Sequence, residues 1–443
     1  HDALPIFNRF SFTIIFFTLI FFFLVYKLYT IQILKSEELT FYAERQQTRN
    51  KEISPVRGLI YDRNGLLLVY NRIEYSFSVD MRMARKKEQD SISKIFSKTF
   101  NKPAQHYLNL MRNSKRIVFL ERNVYGEAVS KLKKLSLPGF AYEEIPSRVY
   151  QYDDLAGHLL GYTNSANIGI DGVERTFNKE LAGTKGNRKI VRDAIGNMIT
   201  VENNEYEPSI SGNNILLTIQ KNVQSFLQTS LDSGLATFGA TSATGVVMDP
   251  NTGEIIALAN VEDYNPNEYS DYTNEQRRNR SITDTYEPGS TFKSFAMAAF
   301  LDNKICRADE LIYGENGRYR FKRITISDVH PEEWMTVKEV FAKSSNIGMS
   351  KLSQRISDED FFTYLRGFGF GNATNISLPG EVNGSLKKPN SWSSYTKSSL
   401  SFGYEISVTP IQLVTAYSSL INGGLLFEPQ LLRSEEHTSH LQT

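Results

Sequence analysis

YEPGSTFKSFAMAAFL, residues 286–301, is the stretch on which the reading of this 443-residue chain turns. Pro288-Gly289 interrupts the backbone pattern, and Ser290 then opens a helical spacing of Phe292, Phe295, Met297, Ala298 and Leu301. Lys293 follows three residues later on the same helix face. A serine at a helix N-terminus sits among backbone dipoles that favour a developing alkoxide. A buried lysine loses the hydration of its ammonium, its pKa falls, and the neutral amine can serve as a base. Together the two form an activated serine that needs no histidine. An ordinary N-capped helix is the competing reading, because Ser-x-x-Lys alone is cheap. It recurs at Ser91/Lys94, Ser130/Lys133, Ser385/Lys388 and Ser394/Lys397, in polar or charged surroundings.

Outward from this stretch, KSSNIGMSKL at 343–352 places Ser344 and Asn346 in a Ser-x-Asn between two helical patterns. By itself this reads as an N-cap cluster. GVVMDPNTGEIIALAN at 245–260 predicts a hairpin turning at Pro250–Gly253. Residues 215–219 read as a strand, 220–233 as a helix and 207–214 as a linker. RGLIYDRNGLLLVYN at 57–71 predicts strand, Asn64-Gly65 turn, strand. Residues 80–135, rich in Lys, Arg, Ser and Asn, read as solvated helices, and 32–51 as a polar stretch with helical spacing. The glycines of 157–199 mark turns between short elements, with no phosphate-binding loop among them.

Composition narrows the function. Formal net charge is +1, which argues against a nucleic-acid binder held by a bulk basic surface. One cysteine, Cys306, excludes an intramolecular disulfide and a multi-cysteine metal site, and it reads as a structural thiol. The six histidines, two of them near the C-terminus, show no paired spacing of the His-Glu-x-x-His kind, and His158 and His330 read as structural residues without obvious partners.

Both ends look foreign. Residues 1–6 are the in-frame translation of CACGACGCTCTTCCGATC, the end of a common sequencing adapter, and 433–443 resemble the adapter from the other side. Both are set aside as artefacts. Residues 10–29 are apolar over the length that spans about 30 Å of hydrocarbon, with Lys27 placed to snorkel and Tyr26 and Tyr29 to sit at the interface. No small-residue cleavage site follows, so a retained anchor is expected, with the bulk of the chain outside.

Ser-x-x-Lys followed by Ser-x-Asn and later by Lys-Thr/Ser-Gly is the signature of penicillin-binding proteins and serine β-lactamases. The resemblance extends over residues 7–432. RGLIYDRNG, GHLLGYTN and GIDGVERTFNKELAGTKG resemble the pedestal of the class B members. NRSITDTYEPGSTFK, KSSNIG, FGFGNATNISLPGE and SFGYEISVTPIQL resemble the division-specific class B peptidoglycan D,D-transpeptidases more than the elongation ones.

The resemblance implies an α+β fold: a single N-terminal transmembrane helix, an elongated β-rich pedestal of dimerisation type over 30–210, and a transpeptidase domain over 211–432. That domain would carry an antiparallel sheet flanked by helices. The implied activity is septal peptidoglycan cross-linking at the inner membrane, catalytic domain periplasmic, by acyl transfer from D-Ala-D-Ala stem peptides. Ser290 would be the nucleophile, Lys293 its base, Ser344 a proton relay and Asn346 a ligand of the substrate amide. β-Lactams would acylate Ser290. No cofactor and no metal is implied. The implied partners are stem peptides, the membrane, a divisome glycosyltransferase and other division proteins, and no nucleic acid. One departure stands out: no Lys-Thr-Gly or Lys-Ser-Gly follows Asn346, and Lys397-Ser398-Ser399 lies upstream of where the family places it. The transpeptidase domain is therefore expected to be C-terminally truncated, and this chain to bind penicillin poorly. A non-catalytic division scaffold and a serine D,D-carboxypeptidase or β-lactamase are the alternatives.

Overall fold

The apolar run near the N-terminus forms one α-helix, Ile6–Tyr29, continued by a π-helical turn, Thr30–Leu34. Its large side chains, Phe16, Phe22 and Leu24 among them, are exposed. Phe10–Leu34 spans 25 residues and is long and apolar enough to cross a membrane. The computed structural model describes residues 6–39, 42, 48–114, 116–192, 198–199 and 206–436. Residues 1–5 of the adapter-like N-terminus lie outside that part.

The chain divides into two units. The first joins His1–Pro55 to Gly183–Ser211. In it the helical spacing expected over 32–51 gives way to a strand, Thr48–Ile53, which pairs antiparallel with Gly186–Arg192 from Thr48↔Val191 to Ile53↔Gly186. Pairing with a distant strand overrides a weak local pattern here. Residues 40, 41 and 43–47 of that stretch, and 193–197 of the DAIGNMI turn, lie outside the described residues.

The second unit joins Val56–Ala182 to Gly212–Thr443. Its hairpin forms as expected from Ile60–Tyr61 and Leu67–Asp80. Gly65 takes φ 80° in the turn, and Asp62 Oδ1 accepts from the N–H groups of Asn64 and Leu66 at 2.9 Å. Leu67–Asp80 continues as a long strand paired with Phe140–Tyr150 and, toward its end, with Ile117–Val124. The insertion at 80–135 is thus not helical throughout. Helices Lys86–Phe100, Ala104–Arg112 and Glu127–Leu132 enclose a strand, and they bury Phe77, Phe96, Tyr107 and Met111 completely.

Arg57 opens the hairpin from inside the fold. Its Nε donates to Glu174 Oε2 at 2.7 Å, while Arg148 Nε donates to Glu174 Oε1 at 2.6 Å, and all three side chains are buried. This triad ties the hairpin to Phe140–Tyr150 and to the short helix Gly172–Thr176. Removing one partner of such a group strands a buried charge, at a cost of about 3–5 kcal/mol.

Asn214–Leu217 lies parallel to Ile60–Tyr61 and antiparallel to Leu432–Glu436. That last strand runs four residues into the adapter-like tail, of which 437–443 lie outside the described part. The C-terminal half is built on the antiparallel hairpin Ala243–Met248 and Ile255–Val261. Helix Lys221–Phe238 packs on it, with Gln224 exchanging two hydrogen bonds with the Leu258 backbone at 2.8 and 2.9 Å. Helix Pro410–Ile421, closed by a Thr409/Gln412 capping box, packs against Ala243–Met248. At the centre lies Lys293–Asp302, a helix buried on several faces at once through Phe295, Ala296, Met297, Ala299 and Phe300. Cys306 follows it, buried and free, in the same core cluster.

Candidate active site

Ser290 stands on the 3-10 turn Gly289–Phe292, which leads directly into Lys293–Asp302. The turn is clamped from outside by the segment SFGYEISVTP. Gly289 N–H donates to Gly403 O at 3.0 Å, and Tyr286 and Val408 exchange two backbone hydrogen bonds of 3.0 Å. Gly403 has φ 84°, and a Cβ there would lie 2.1 Å from Gly289 O, so glycine is required on both steric and conformational grounds. Tyr417 Oη donates to Thr291 O at 2.5 Å. Ser290 itself is exposed, and among the described residues no group hydrogen-bonds its Oγ.

Lys293, one helical turn on, is only 2% exposed. Its Nζ donates to Ser344 O at 2.6 Å, Ser344 Oγ at 2.9 Å and Asn346 Oδ1 at 2.7 Å. Burial lowers its pKa to about 8, while the negative charge of Asp328 acts in the opposite direction. The structure therefore brings Lys293, Ser344 and Asn346 into direct contact. Ser290 stands on the turn that leads into the Lys293 helix and, among the described residues, has no hydrogen bond to any of the three.

The Ser-x-Asn loop is held in a costly backbone conformation. Ser344 has φ 56°, in the left-handed region, where a residue with a Cβ costs about 1–2 kcal/mol. Helix Val337–Ala342 ends before it and Asn346–Ser353 begins after it. Asn346 Nδ2 donates to Ser327 O at 3.1 Å, which turns Oδ1 toward the lysine. Asp328 caps the second helix from a separate strand end. Its Oδ1 accepts from Asn346 N–H at 2.6 Å and Ile347 N–H at 3.0 Å, and its Oδ2 from Ser345 Oγ at 2.5 Å.

Sequence reasoning gave no role to Asp328, which carries no motif, or to Gly403, which lies within SFGYEISVTPIQL. The one available signal for Asp328 was that a helix starting at Ser-Ser-Asn leaves N–H groups in need of an acceptor. His330 is exposed. His158 does have partners, contrary to expectation: its Nδ1 lies 2.8 Å from Asp263 Oδ1 and its Nε2 2.8 Å from Gln276 O, because the 262–264 segment folds against helix Gly157–Leu160. Lys397 points into other contacts, donating to Ile356 O and Asp358 Oδ1 at 2.7 Å, and Ser398 is buried against Ser350.

A serine–lysine turn closed against a serine–asparagine loop defines a class of acyl-transfer fold, and comparison with known proteins specifies it. Residues 243–443 match the penicillin binding protein transpeptidase domain, and 52–217 the penicillin-binding protein dimerisation domain. The chain belongs to the class B penicillin-binding proteins. It is 32% identical over 400 residues to the peptidoglycan D,D-transpeptidase FtsI of Escherichia coli K12, an alignment covering 89% of this chain and 67% of that protein. It is 29% identical over 431 residues to the stage V sporulation protein D of Bacillus subtilis, covering 96% and 67%. Among solved structures, penicillin binding protein 2X of Streptococcus thermophilus superposes with a TM-score of 0.73 at 25% identity, covering 88% of this chain and 62% of that one.

Proposed function

We propose that this chain is a serine-type peptidoglycan D,D-transpeptidase acting through an acyl-enzyme on Ser290. The contact of a buried Lys293 with both Ser344 and Asn346 carries the reading. At pH 7 a lysine with a pKa of about 8 is neutral in roughly one molecule in ten, against about one in three thousand for an ordinary lysine. Loss of one proton leaves Nζ a lone pair and two donors. Of its three partners only Ser344 Oγ can also donate, so the hydroxyl can reverse its bond and keep the neutral amine in place.

Ser290 Oγ attacks the penultimate D-Ala carbonyl, and its proton passes to Lys293. The C–N bond to the terminal D-Ala breaks, and the proton returns through Ser344 to the leaving amine. An acceptor amine then attacks the ester, gives up a proton and frees Ser290. Asn346, its amide oriented by Ser327, holds the substrate amide. Similarity to FtsI and to stage V sporulation protein D supports work in cell division, with a divisome glycosyltransferase and other division proteins as partners. The helix Ile6–Tyr29 would be the single-pass anchor, with the catalytic half outside the cytoplasm.

The test is exchange of the terminal residue of a D-Ala-D-Ala peptide for a labelled D-amino acid. Labelled product that disappears in Ser290→Ala supports the transfer reaction. Hydrolysis without exchange would favour a carboxypeptidase, and no turnover with growth unaffected by Ser290→Ala would favour a scaffold.

A further inference from the structure

The hairpin Arg318–Phe321 and Ile324–Ser327 has two unlike faces. Phe321 and Ile326 are buried against Ile347, in the helix that begins at Asn346, with Tyr319 and Ile324 packed alongside. Strand alternation puts Arg318, Arg320, Thr325 and Ser327 on the opposite, solvent face. The register pairs Arg318 with Ser327 and Arg320 with Thr325, so the two arginines stand in one row. That row starts at the substrate site, because the carbonyl of Ser327 accepts from Asn346 Nδ2.

Both arginines are exposed, and among the described residues neither has a hydrogen-bond or ion-pair partner. Three carboxylates of the flanking segments are already engaged. Asp328 caps Asn346 and Ile347, Glu315 pairs with Lys351 at 2.7 Å, and Glu332 with Lys343 at 2.5 Å. Arg323 in the turn is likewise exposed, and Lys322 donates to Ser394 O at 2.9 Å. A row of uncompensated guanidinium groups leading away from the residue that holds the substrate amide is complementary to a peptide that carries free carboxylates upstream of its reacting end.

We propose that Arg318 and Arg320 bind the acidic upstream part of the acyl-donor peptide and select it over neutral peptides. This rests on the transpeptidase reading of Ser290 and Asn346. Exposed charge pairs are individually weak, so two of them should give about a tenfold preference that fades with salt.

The probe is a pair of fluorescent peptides ending in D-Ala-D-Ala, one with Glu and one with Gln upstream, titrated at low salt onto the full chain and onto Arg318→Gln/Arg320→Gln. The expected result is about tenfold tighter binding of the Glu peptide by the parent chain. The double variant should lose that preference and bind the Gln peptide unchanged, and Arg318→Lys/Arg320→Lys should restore part of it. A structural role would weaken both peptides together and would not respond to lysine. Equal binding of the two peptides by the parent, or a preference that survives in the double variant, overturns this inference alone. Binding of neither peptide overturns the donor-site reading, and this inference with it.

Discussion

Lys293 Nζ lies 2.7 Å from Asn346 Oδ1, so the lysine of one motif is held by the asparagine of the other across a gap of 53 residues in sequence. The contact is charge-assisted while the lysine is protonated and is weakened when it is not. On the proposed mechanism, the protonation of Lys293 is the variable on which reactivity turns.

The first prediction concerns pH. With a pKa of about 8, acylation of Ser290 by a fluorescent β-lactam should rise roughly tenfold per pH unit below that value and level off above it. Asn346→Asp puts an anion 2.7 Å from Nζ, favours the ammonium and should move the rise upward by about one unit or more. A rate that is flat from pH 6 to 10 in the parent chain, or an unmoved profile in the variant, contradicts the assignment of Lys293 as base.

Stability follows the same titration. The folded pKa lies below the unfolded value of 10.5, so the fold disfavours the charged form. That penalty is complete below about pH 8 and is relieved as pH climbs toward 10.5, where the unfolded chain binds more protons than the folded one. Denaturant titrations should therefore show the parent gaining stability relative to Lys293→Met across that window. A constant difference between the two would mean that the lysine is not perturbed.

Ser344 combines a left-handed backbone with a hydroxyl on Lys293. Ser344→Ala and Ser344→Gly both remove the hydroxyl, and only glycine relieves φ 56°. The glycine variant should be about 1 kcal/mol more stable than the alanine variant by thermal or urea unfolding, with acylation impaired in both. Equal stabilities would show that the loop relaxes when the hydroxyl is lost.

Gly403→Ala should damage the site from behind. The new methyl meets Gly289 O at 2.1 Å at a position with φ 84°, and the turn that carries Ser290 must move. Acylation should fall by about 100-fold or more, as expected for a misplacement near 1 Å, while helix Pro410–Ile421 and the bulk fold persist by circular dichroism. An active Gly403→Ala would show that the clamp is dispensable.

The contact of Lys293 with Ser344 and Asn346 joins two stretches that the sequence already sets apart. A Pro-Gly break before an apolar helix singles out Ser290 and Lys293, whereas Ser344 and Asn346 read locally as an N-cap cluster and gain a role only from the resemblance of the two motifs together to a family. The 57–71 hairpin was equally plain from Asn64-Gly65. What stayed hidden depends on partners far away in sequence. Thr48–Ile53 and Ile117–Val124 are strands only because Gly186–Arg192 and Leu67–Asp80 pair with them. Glu174 looks like a surface residue until Arg57 and Arg148 close on it, and Asp328 has no meaning until the helix at Asn346 arrives above it. His158 seemed unpartnered because Asp263 belongs to a different part of the chain.

The most direct test is peptide mass mapping after prolonged incubation of the chain with excess penicillin. The account predicts a single penicilloyl adduct on the tryptic peptide 281–293, assigned to Ser290 and missing in Ser290→Ala. An adduct on any other residue, an adduct that survives Ser290→Ala, or none at all after prolonged exposure would contradict it.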